Sequence, residues 1–202
     1  MAREPAGRRE RILASAAKLF ARKGVAATTV REIGDDVGIL SGSLYHHFES
    51  KEAMVDEILS SYLEDLRNRY KQALARDGDP RSRLRDLFVA SLEVVEAHPH
   101  ATEIYQNDAN YLSQFERFGY LRNASREVQN TWLEVINAGV ARGAFRTDLD
   151  PAIAYRLMRD AVWQSVRWFR PTQEYPLVRL ADDCTSLFVE GLAPRATTNA
   201  QR

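Results

Sequence analysis

Apolar residues recur every three or four positions along most of the chain, in runs that glycine, proline or capping residues separate. The first run covers residues 8–23 and stops before Gly24, as a helix does when a glycine ends it. Alternating strand patterns are absent. Two short helices lie within residues 28–51, and further helices are expected at about 51–74, 80–97, 104–111, 120–142, 151–168 and 176–191. The pattern therefore predicts an all-α protein of about nine helices, with a loose arm at residues 1–7 and a disordered tail from Pro194.

Residues 28–51 carry the most specific spacing in the chain. Thr29 and Glu32 stand in the relation of a capping box, so the second helix should begin there. Gly34 lies where a side chain would hold a crossing helix away, and Gly38 can take the left-handed conformation that turns the chain. The apolar positions that would pack the pair together are Ile33, Val37, Ile39, Leu44 and Phe48. The segment is predicted to be a helix-turn-helix.

The other side of the second of these helices is polar, and its side chains are short at its start. It consists of Ser41, Gly42, Ser43, Tyr45, His46 and His47. Such a face suits a major groove about 12 Å wide with phosphates at its rims. The alternative for Tyr45 and His47 is that they only pack within the protein. Arg8, Arg9 and Arg11 in the first helix either reach phosphate or form a solvated face.

The same segment resembles the TetR-type repressors, whose heads read TT-v-r-e-I-a, then G-v-s-x-G-s-L-Y-x-H-F, then x-x-K-e-x-L. The matching residues are Thr28, Thr29, Val30, Ile33, Gly38, Gly42, Ser43, Leu44, Tyr45, His47, Phe48, Lys51 and Glu52. Gly34 and Met54 depart from the pattern, away from the DNA-facing side. The resemblance implies a dimeric, ligand-responsive repressor that binds double-stranded DNA at an inverted repeat, with a DNA-binding domain at residues 8–68 and a ligand-binding and dimerisation domain at 69–193. The DNA contacts that it implies are Thr28, Thr29, Arg31, Ser41, Gly42, Ser43, Tyr45, His46, His47 and Lys51.

Charge and cysteine content agree with such a protein. The net charge of the 202 residues is zero, but residues 1–51 hold nine Lys or Arg against six Asp or Glu, and the remainder holds nineteen against twenty-two. The basic surplus lies with the helix-turn-helix, where phosphates would bind. The single Cys184 excludes an internal disulfide, and neither a signal peptide nor a membrane span is apparent. We expect a cytoplasmic, nucleoid-associated protein without contact to a membrane.

The last two predicted helices carry apolar stripes that indicate a dimer interface. The candidate interface residues are Ile153, Leu157, Leu177, Leu180, Cys184, Leu187 and Phe188. With their symmetry mates these helices would form a four-helix seam, as in the family. The alternative is that the stripe packs only inside one subunit.

The helix at 151–168 also places cations and an indole on one face. Arg159, Trp163 and Arg167 are spaced four apart, with Arg156 nearby. Arginine binds phosphate through paired donors, and an indole packs against rings, so this face fits a coenzyme A thioester with a bulky apolar end. The motifs GILSGSLYHHF and RDAVWQSVRWFRP are similar to TetR-type repressors of actinobacterial sterol-ring breakdown, which implies a thioester of a sterol-ring fragment. Its apolar end would lie among Tyr105, Tyr111, Trp132 and Trp163.

Several alternatives accompany this hypothesis. The arginines could instead pair with Asp160, Asp182 or Asp183 across the dimer, or the effector could be a fatty acyl-coenzyme A or a hydrophobic drug. An enzyme is disfavoured because no phosphate-binding loop or nucleophile motif appears. His98, His100, Glu103 and Asp108 do not have the spacing of a metal site, and no cofactor is expected. An architectural DNA binder would not need so large a helical body.

Overall fold

The computed structural model describes residues 7–75 and 77–191, and within them the protein is entirely helical. Residues 1–6 of the predicted arm and the predicted tail lie outside this part of the chain. In order, the elements are α1 (Arg8–Lys23), α2 (Val30–Val37), α3 (Ser41–Leu44), α4 (Lys51–Leu74), α5 (Pro80–Ala97), α6 (Pro99–Asn107), α7 (Ala109–Leu112), a 3₁₀ turn (Glu116–Phe118), α8 (Tyr120–Ala141), α9 (Pro151–Trp168) and α10 (Leu177–Glu190). The prediction of an all-α fold is confirmed.

Four helices begin after a residue whose side chain caps them. The side chains of Thr29, Ser50, Asp79 and Asp150 each accept a hydrogen bond from a backbone N–H in the first turn of the following helix. Such caps satisfy donors that have no partner within the helix. The helix boundaries therefore follow from short-range chemistry.

The weak helix predicted at 104–111 differs from the structure. It is interrupted at Asp108, which has φ −103° and ψ 5° and divides it into α6 and α7. The Asp108 side chain turns inward and accepts a hydrogen bond from the Val25 amide, 3.0 Å away. The described residues consequently form ten α-helices, one more than expected.

Two apolar clusters organise the molecule. The head cluster is built on α1, α2 and α3, and it also takes in Ile104, Leu112 and Phe118. The body cluster surrounds α5, which packs against α4, α8, α9 and α10. The long α4 contributes to both clusters, so the predicted domain boundary after residue 68 falls within a continuous helix. None of the described helices combines the length and apolar character that crossing a bilayer requires.

Candidate nucleic-acid interface and effector pocket

A close approach of backbone to backbone fixes the turn between α2 and α3. Gly38 adopts φ 72° and ψ 38°, and Ile39 donates its N–H to the Gly34 carbonyl at 2.9 Å. A Cβ on Gly34 would lie 2.8 Å from the Ile39 carbonyl oxygen and 3.5 Å from Leu44 Cδ1. Only a glycine fits here without movement, which confirms the packing role predicted for Gly34.

The capping box at the start of α2 is complete and electrostatically reinforced. Thr29 Oγ1 accepts from the Glu32 N–H at 3.2 Å, and Glu32 Oε2 accepts from the Thr29 N–H at 2.9 Å. Glu32 also pairs with Lys23 at the end of α1. The Lys23 ammonium and then the Thr29 N–H lower the pKa of Glu32 to about 2. These contacts fix the orientation of α2 relative to α1.

The outer face of the helix-turn-helix is open to a ligand. Gly42, Tyr45 and His46 are exposed, whereas Ser41, Ser43 and His47 are half-buried. Arg31 is exposed, and its Nε lies 3.9 Å from Asp35 Oδ2, which is a long ion pair. Leu40, which the sequence reasoning did not select, is 81% exposed immediately before α3. Most of the predicted DNA-contacting residues are therefore at least partly accessible.

Thr28 is a correction to the predicted DNA contacts. Its side chain is 1% exposed and its hydroxyl donates to the Gly24 carbonyl at 2.8 Å, so it cannot reach a phosphate from here. Lys51 has a structural role that the sequence did not reveal. Its ammonium donates to the carbonyls of Val25 at 2.8 Å and Thr28 at 3.1 Å. An ammonium has three donors, so phosphate contact through the third stays a prediction.

The arginines of α1 divide into two groups. Arg9 pairs with Glu57 and lies 4.5 Å over the Phe48 ring, so it faces the protein. Arg8 and Arg11 line a groove of about 420 Å³ between α1 and α2, together with Lys18. The groove gives the helix-turn-helix a basic flank.

Tyr105, Arg159 and Trp163 meet at one cavity in the body. This candidate site, called the effector cavity below, has a volume of about 320 Å³, and residues of α4, α6, α8 and α9 form its walls. Burial raises the pKa of the Tyr105 phenol. A second cavity of about 240 Å³ shares the walls Leu66 and Val128 with it. Its other lining residues include the aliphatic Leu63, Leu74 and Ala124 and the charged Arg67, Lys71 and Glu127. Both spaces therefore combine apolar walls with charged side chains.

Four residues predicted to bind the effector, Tyr111, Trp132, Arg156 and Arg167, do not line this cavity. Trp132 is 2% exposed and donates its indole N–H to the Tyr70 hydroxyl at 2.8 Å, within the body cluster. Tyr111 packs against Phe115 in the head cluster. Arg156 is exposed and lies outside the cavity wall. The structure therefore places Trp132 and Tyr111 in the apolar clusters and Arg156 at the surface, and none of them in the wall of this cavity.

Other polar groups at the cavity include Gln106 and Asn107 of α6 and Ser125 of α8. Gln106 Nε2 donates to the Trp163 carbonyl at 2.9 Å. The Arg167 guanidinium lies outside the cavity wall and donates to Asn107 Oδ1 at 3.1 Å. Tyr155, also in the wall, lies 5.9 Å from the Arg159 guanidinium. Sequence reasoning missed Tyr155, although it precedes Arg159 by four residues and so shares its helix face.

One arginine of α9 is neutralised by an acidic residue of its own subunit. Arg159 pairs with the adjacent Asp160 at 2.8 Å, while pairing across the dimer stays an alternative. Asp182 instead pairs with Arg85 of α5, and Asp183 accepts from the Tyr175 hydroxyl. The acidic residues of α10 are thus engaged by groups outside α9.

The predicted dimer stripe is divided between two environments. Ile153, Leu157 and Leu187 are 43%, 55% and 42% exposed. Leu180 is 7% exposed and packs in the body cluster, so it is not accessible to a partner. Phe188 stacks on Phe88 at 5.9 Å but is only half-buried, so its interface role stays a prediction. Leu177 and Cys184 are half-buried. The exposed part of the stripe remains available for a partner.

Comparison with known proteins gives matches over most of the chain. The sequence matches the family of bacterial regulatory proteins, tetR family, over residues 12–58, and the tetracyclin repressor-like C-terminal domain over residues 77–192. It is 46% identical to the HTH-type transcriptional repressor KstR2 of Rhodococcus jostii over 187 residues, covering 93% of this chain and 92% of the relative.

Solved structures agree with the sequence matches. The ketosteroid transcriptional regulator KstR2 of Mycobacterium tuberculosis superimposes with a TM-score of 0.85 at 41% identity, covering 95% of this chain and 97% of the other. AibR, solved with isovaleryl coenzyme A and operator DNA, shares the fold at 19% identity and a TM-score of 0.75, covering 91% and 98%. Because two family matches and a close relative span most of its length, the chain belongs to the TetR family, as a dimeric DNA-binding transcriptional repressor that responds to small molecules and is not an enzyme.

Proposed function

We propose that this repressor releases an inverted-repeat operator when a coenzyme A thioester of a sterol-ring fragment fills the effector cavity. The observation that carries the proposal is the meeting of Arg159, Trp163 and Tyr105 at one cavity wall. A guanidinium supplies paired donors for a phosphate, and the rings supply an apolar contact surface. The likeness to a protein described as a ketosteroid regulator supports a ring-bearing ligand.

Two adjoining cavities offer room for a ligand with two ends. The second cavity would receive the apolar rings against Leu63, Leu66, Tyr70, Leu74 and Val128, with Arg67, Lys71 and Glu127 also in its lining. The polar handle would then run past Arg159 and Arg167 toward solvent. Asp160 competes for Arg159, so the ligand phosphate must replace that carboxylate. The structure of AibR with isovaleryl coenzyme A supports only the compatibility of this fold with such a ligand.

At the DNA, we propose that Ser41, Gly42 and Ser43 approach base edges while Thr29, Tyr45, His46 and His47 contact phosphates. Two heads related by a two-fold axis would read half-sites about one turn, or roughly 34 Å, apart. Arg31 would add a phosphate contact beside them. The two-fold would run through α9 and α10, with Ile153, Leu157 and Leu187 at the seam. A nucleoid-associated location in the cytoplasm follows from operator binding and belongs to the proposal.

The test measures operator release by the thioester, the free acid, coenzyme A alone and a fatty acyl-coenzyme A. Arg159→Met and Trp163→Leu should bind the operator as the parent does. The thioester concentration needed to release the operator should rise at least about tenfold in each, because each loses about one charge-assisted or ring contact. Arg156→Met is the matched control, because it lies on the same helix outside the cavity and should respond like the parent. Equal activity of the free acid, or an unchanged response in both cavity variants, would show the assignment to be wrong.

A further inference from the structure

Asp108 links the body to the head through a buried hydrogen bond. Its side chain is 8% exposed, and Oδ1 accepts the Val25 N–H at 3.0 Å. Oδ2 has no hydrogen-bond partner among the described residues. Burial raises the pKa of this carboxyl, an effect that the Val25 amide and Lys51 oppose. Burying a carboxyl with one oxygen unpaired costs folding free energy. Packing alone would favour an apolar residue here.

Lys51 holds the same loop from the other side. Its ammonium donates to the Val25 carbonyl at 2.8 Å and to the Thr28 carbonyl at 3.1 Å. Val25 is therefore fixed through its N–H by the body and through its C=O by the first residue of α4. The loop runs directly into Thr29, the cap of α2. Its position consequently sets where the helix-turn-helix lies relative to α6 and α4.

Asp108 also follows directly on the wall of the effector cavity. Tyr105, Gln106 and Asn107, the three residues before it, all line that cavity. Gln106 donates to the Trp163 carbonyl at 2.9 Å, which ties the last turn of α6 to α9. At 1.5 Å per residue, Tyr105 and Asp108 are separated by only about 4.5 Å along the helix axis. A displacement of this turn moves the Asp108 carboxylate with it.

We infer that Asp108 is a positioning residue for operator binding, whose hydrogen bond to the Val25 amide holds the helix-turn-helix and breaks when a filled cavity displaces the last turn of α6. The second half of this statement rests on the proposed effector site. Both the amide and the carboxylate are buried, so breaking the bond leaves two polar groups to be solvated. The hydrogen bond is therefore either formed or broken. Operator DNA would favour the formed state, and the effector would favour the broken state.

The first arm of the test needs no effector. Asp108→Ala should weaken operator binding about tenfold and speed amide exchange in residues 24–29, because the Val25 N–H loses its acceptor. Asp108→Asn should restore both, because a carboxamide oxygen accepts the same bond. Asn110→Ala, at an exposed position on α7, is the matched control and should behave like the parent. In the parent chain, operator should slow exchange at Val25.

The second arm measures coupling with the sterol-ring coenzyme A thioester as probe. The Kd of the thioester is determined by calorimetry with and without operator. In Asp108→Ala, the ratio of the Kd with operator to the Kd without it should fall toward one, while the Kd of the DNA-free protein stays unchanged. Unaltered operator binding and exchange in Asp108→Ala, or identical behaviour of the Ala and Asn variants, would overturn the inference. If the thioester binds neither the parent chain nor the variants, the proposed effector is refuted. The first arm, which needs no effector, still decides the role of Asp108.

Discussion

The head and the α9–α10 pair were predicted from similar patterns of apolar spacing, yet the structure treats them differently. In the head, the decisive contacts join residues close in sequence: Thr29 with Glu32, and Gly34 with Ile39. Spacing specifies these contacts because helix geometry brings positions three to five apart together. The local pattern was therefore sufficient to predict the geometry there.

In α10, one apolar stripe serves two purposes. Leu180 and Leu187 are seven apart and share a helix face, but Leu180 is 7% exposed and Leu187 is 42% exposed. The difference arises because α10 lies along α5, a helix about ninety residues earlier in the chain. Periodicity identifies the apolar face, and only the tertiary neighbours divide it between core and interface.

The largest expected effect separates these two roles. Leu180→Glu would place a charge inside the body cluster and should destabilise the subunit by about 3 kcal/mol or more. The Leu157→Glu, Leu187→Glu double variant changes only exposed positions, so it should fold like the parent and sediment as a monomer. Thermal unfolding measures the first effect and sedimentation velocity the second.

Each variant has an outcome that contradicts its assignment. A fully stable Leu180→Glu chain would mean that this position is accessible after all. A double variant that remains dimeric would place the seam on another surface, with the exposed Trp168 and Val178 as the next positions to change.

An intermediate effect tests the local geometry of the head. Gly34→Val should cost about 1–3 kcal/mol, because even its Cβ would lie 2.8 Å from the Ile39 carbonyl oxygen. The turn would have to open, so operator affinity should fall together with stability. Gly42→Ala is the contrasting substitution, since nothing lies within 4 Å of its Cβ. It should fold normally and report only on the approach to DNA, as measured by unfolding and by operator titration.

The sequence predicted the fold well and the effector site only in part, for related reasons. Helix starts at Ser50, Asp79 and Asp150 depend on residues within one turn of each cap. The inward turn of Asp108 depends on Val25, eighty-three residues away. No local rule predicts such a contact, so the division of one expected helix into α6 and α7 could not be anticipated.

The site residues follow the same distinction. Arg159 and Trp163 were found because they lie four apart on one helix, and Tyr155 was available by the same argument. Trp132 was assigned to the ligand on the family resemblance, but its indole N–H donates to the Tyr70 hydroxyl in the core. Thr28 matched a family motif, yet its hydroxyl serves the loop that carries it. A motif position identifies the residue type without saying whether the side chain faces the partner.

The smallest expected effect concerns acid and the cap of α2. Glu32 has its pKa lowered from 4.5 to about 2, chiefly by Lys23. A carboxyl whose pKa is lowered on folding stabilises the folded state at every pH above its ordinary pKa. That contribution is lost as the pH falls from about 4.5 toward 2. Glu32→Gln can still accept from the Thr29 N–H but loses the ionic partner. The variant should be slightly less stable than the parent at neutral pH, and the difference should shrink on acidification.

Urea unfolding at several pH values between about 3 and 7 measures this difference, and Glu64→Gln on the exposed side of α4 serves as the control. Because Glu32 and Lys23 are partly open to solvent, added salt should reduce the difference as well. A gap between parent and variant that widens in acid would mean that the carboxylate is not stabilised by its neighbours. In that case the head would owe its geometry to its apolar cluster, as the body does, and the contrast between the two regions would disappear.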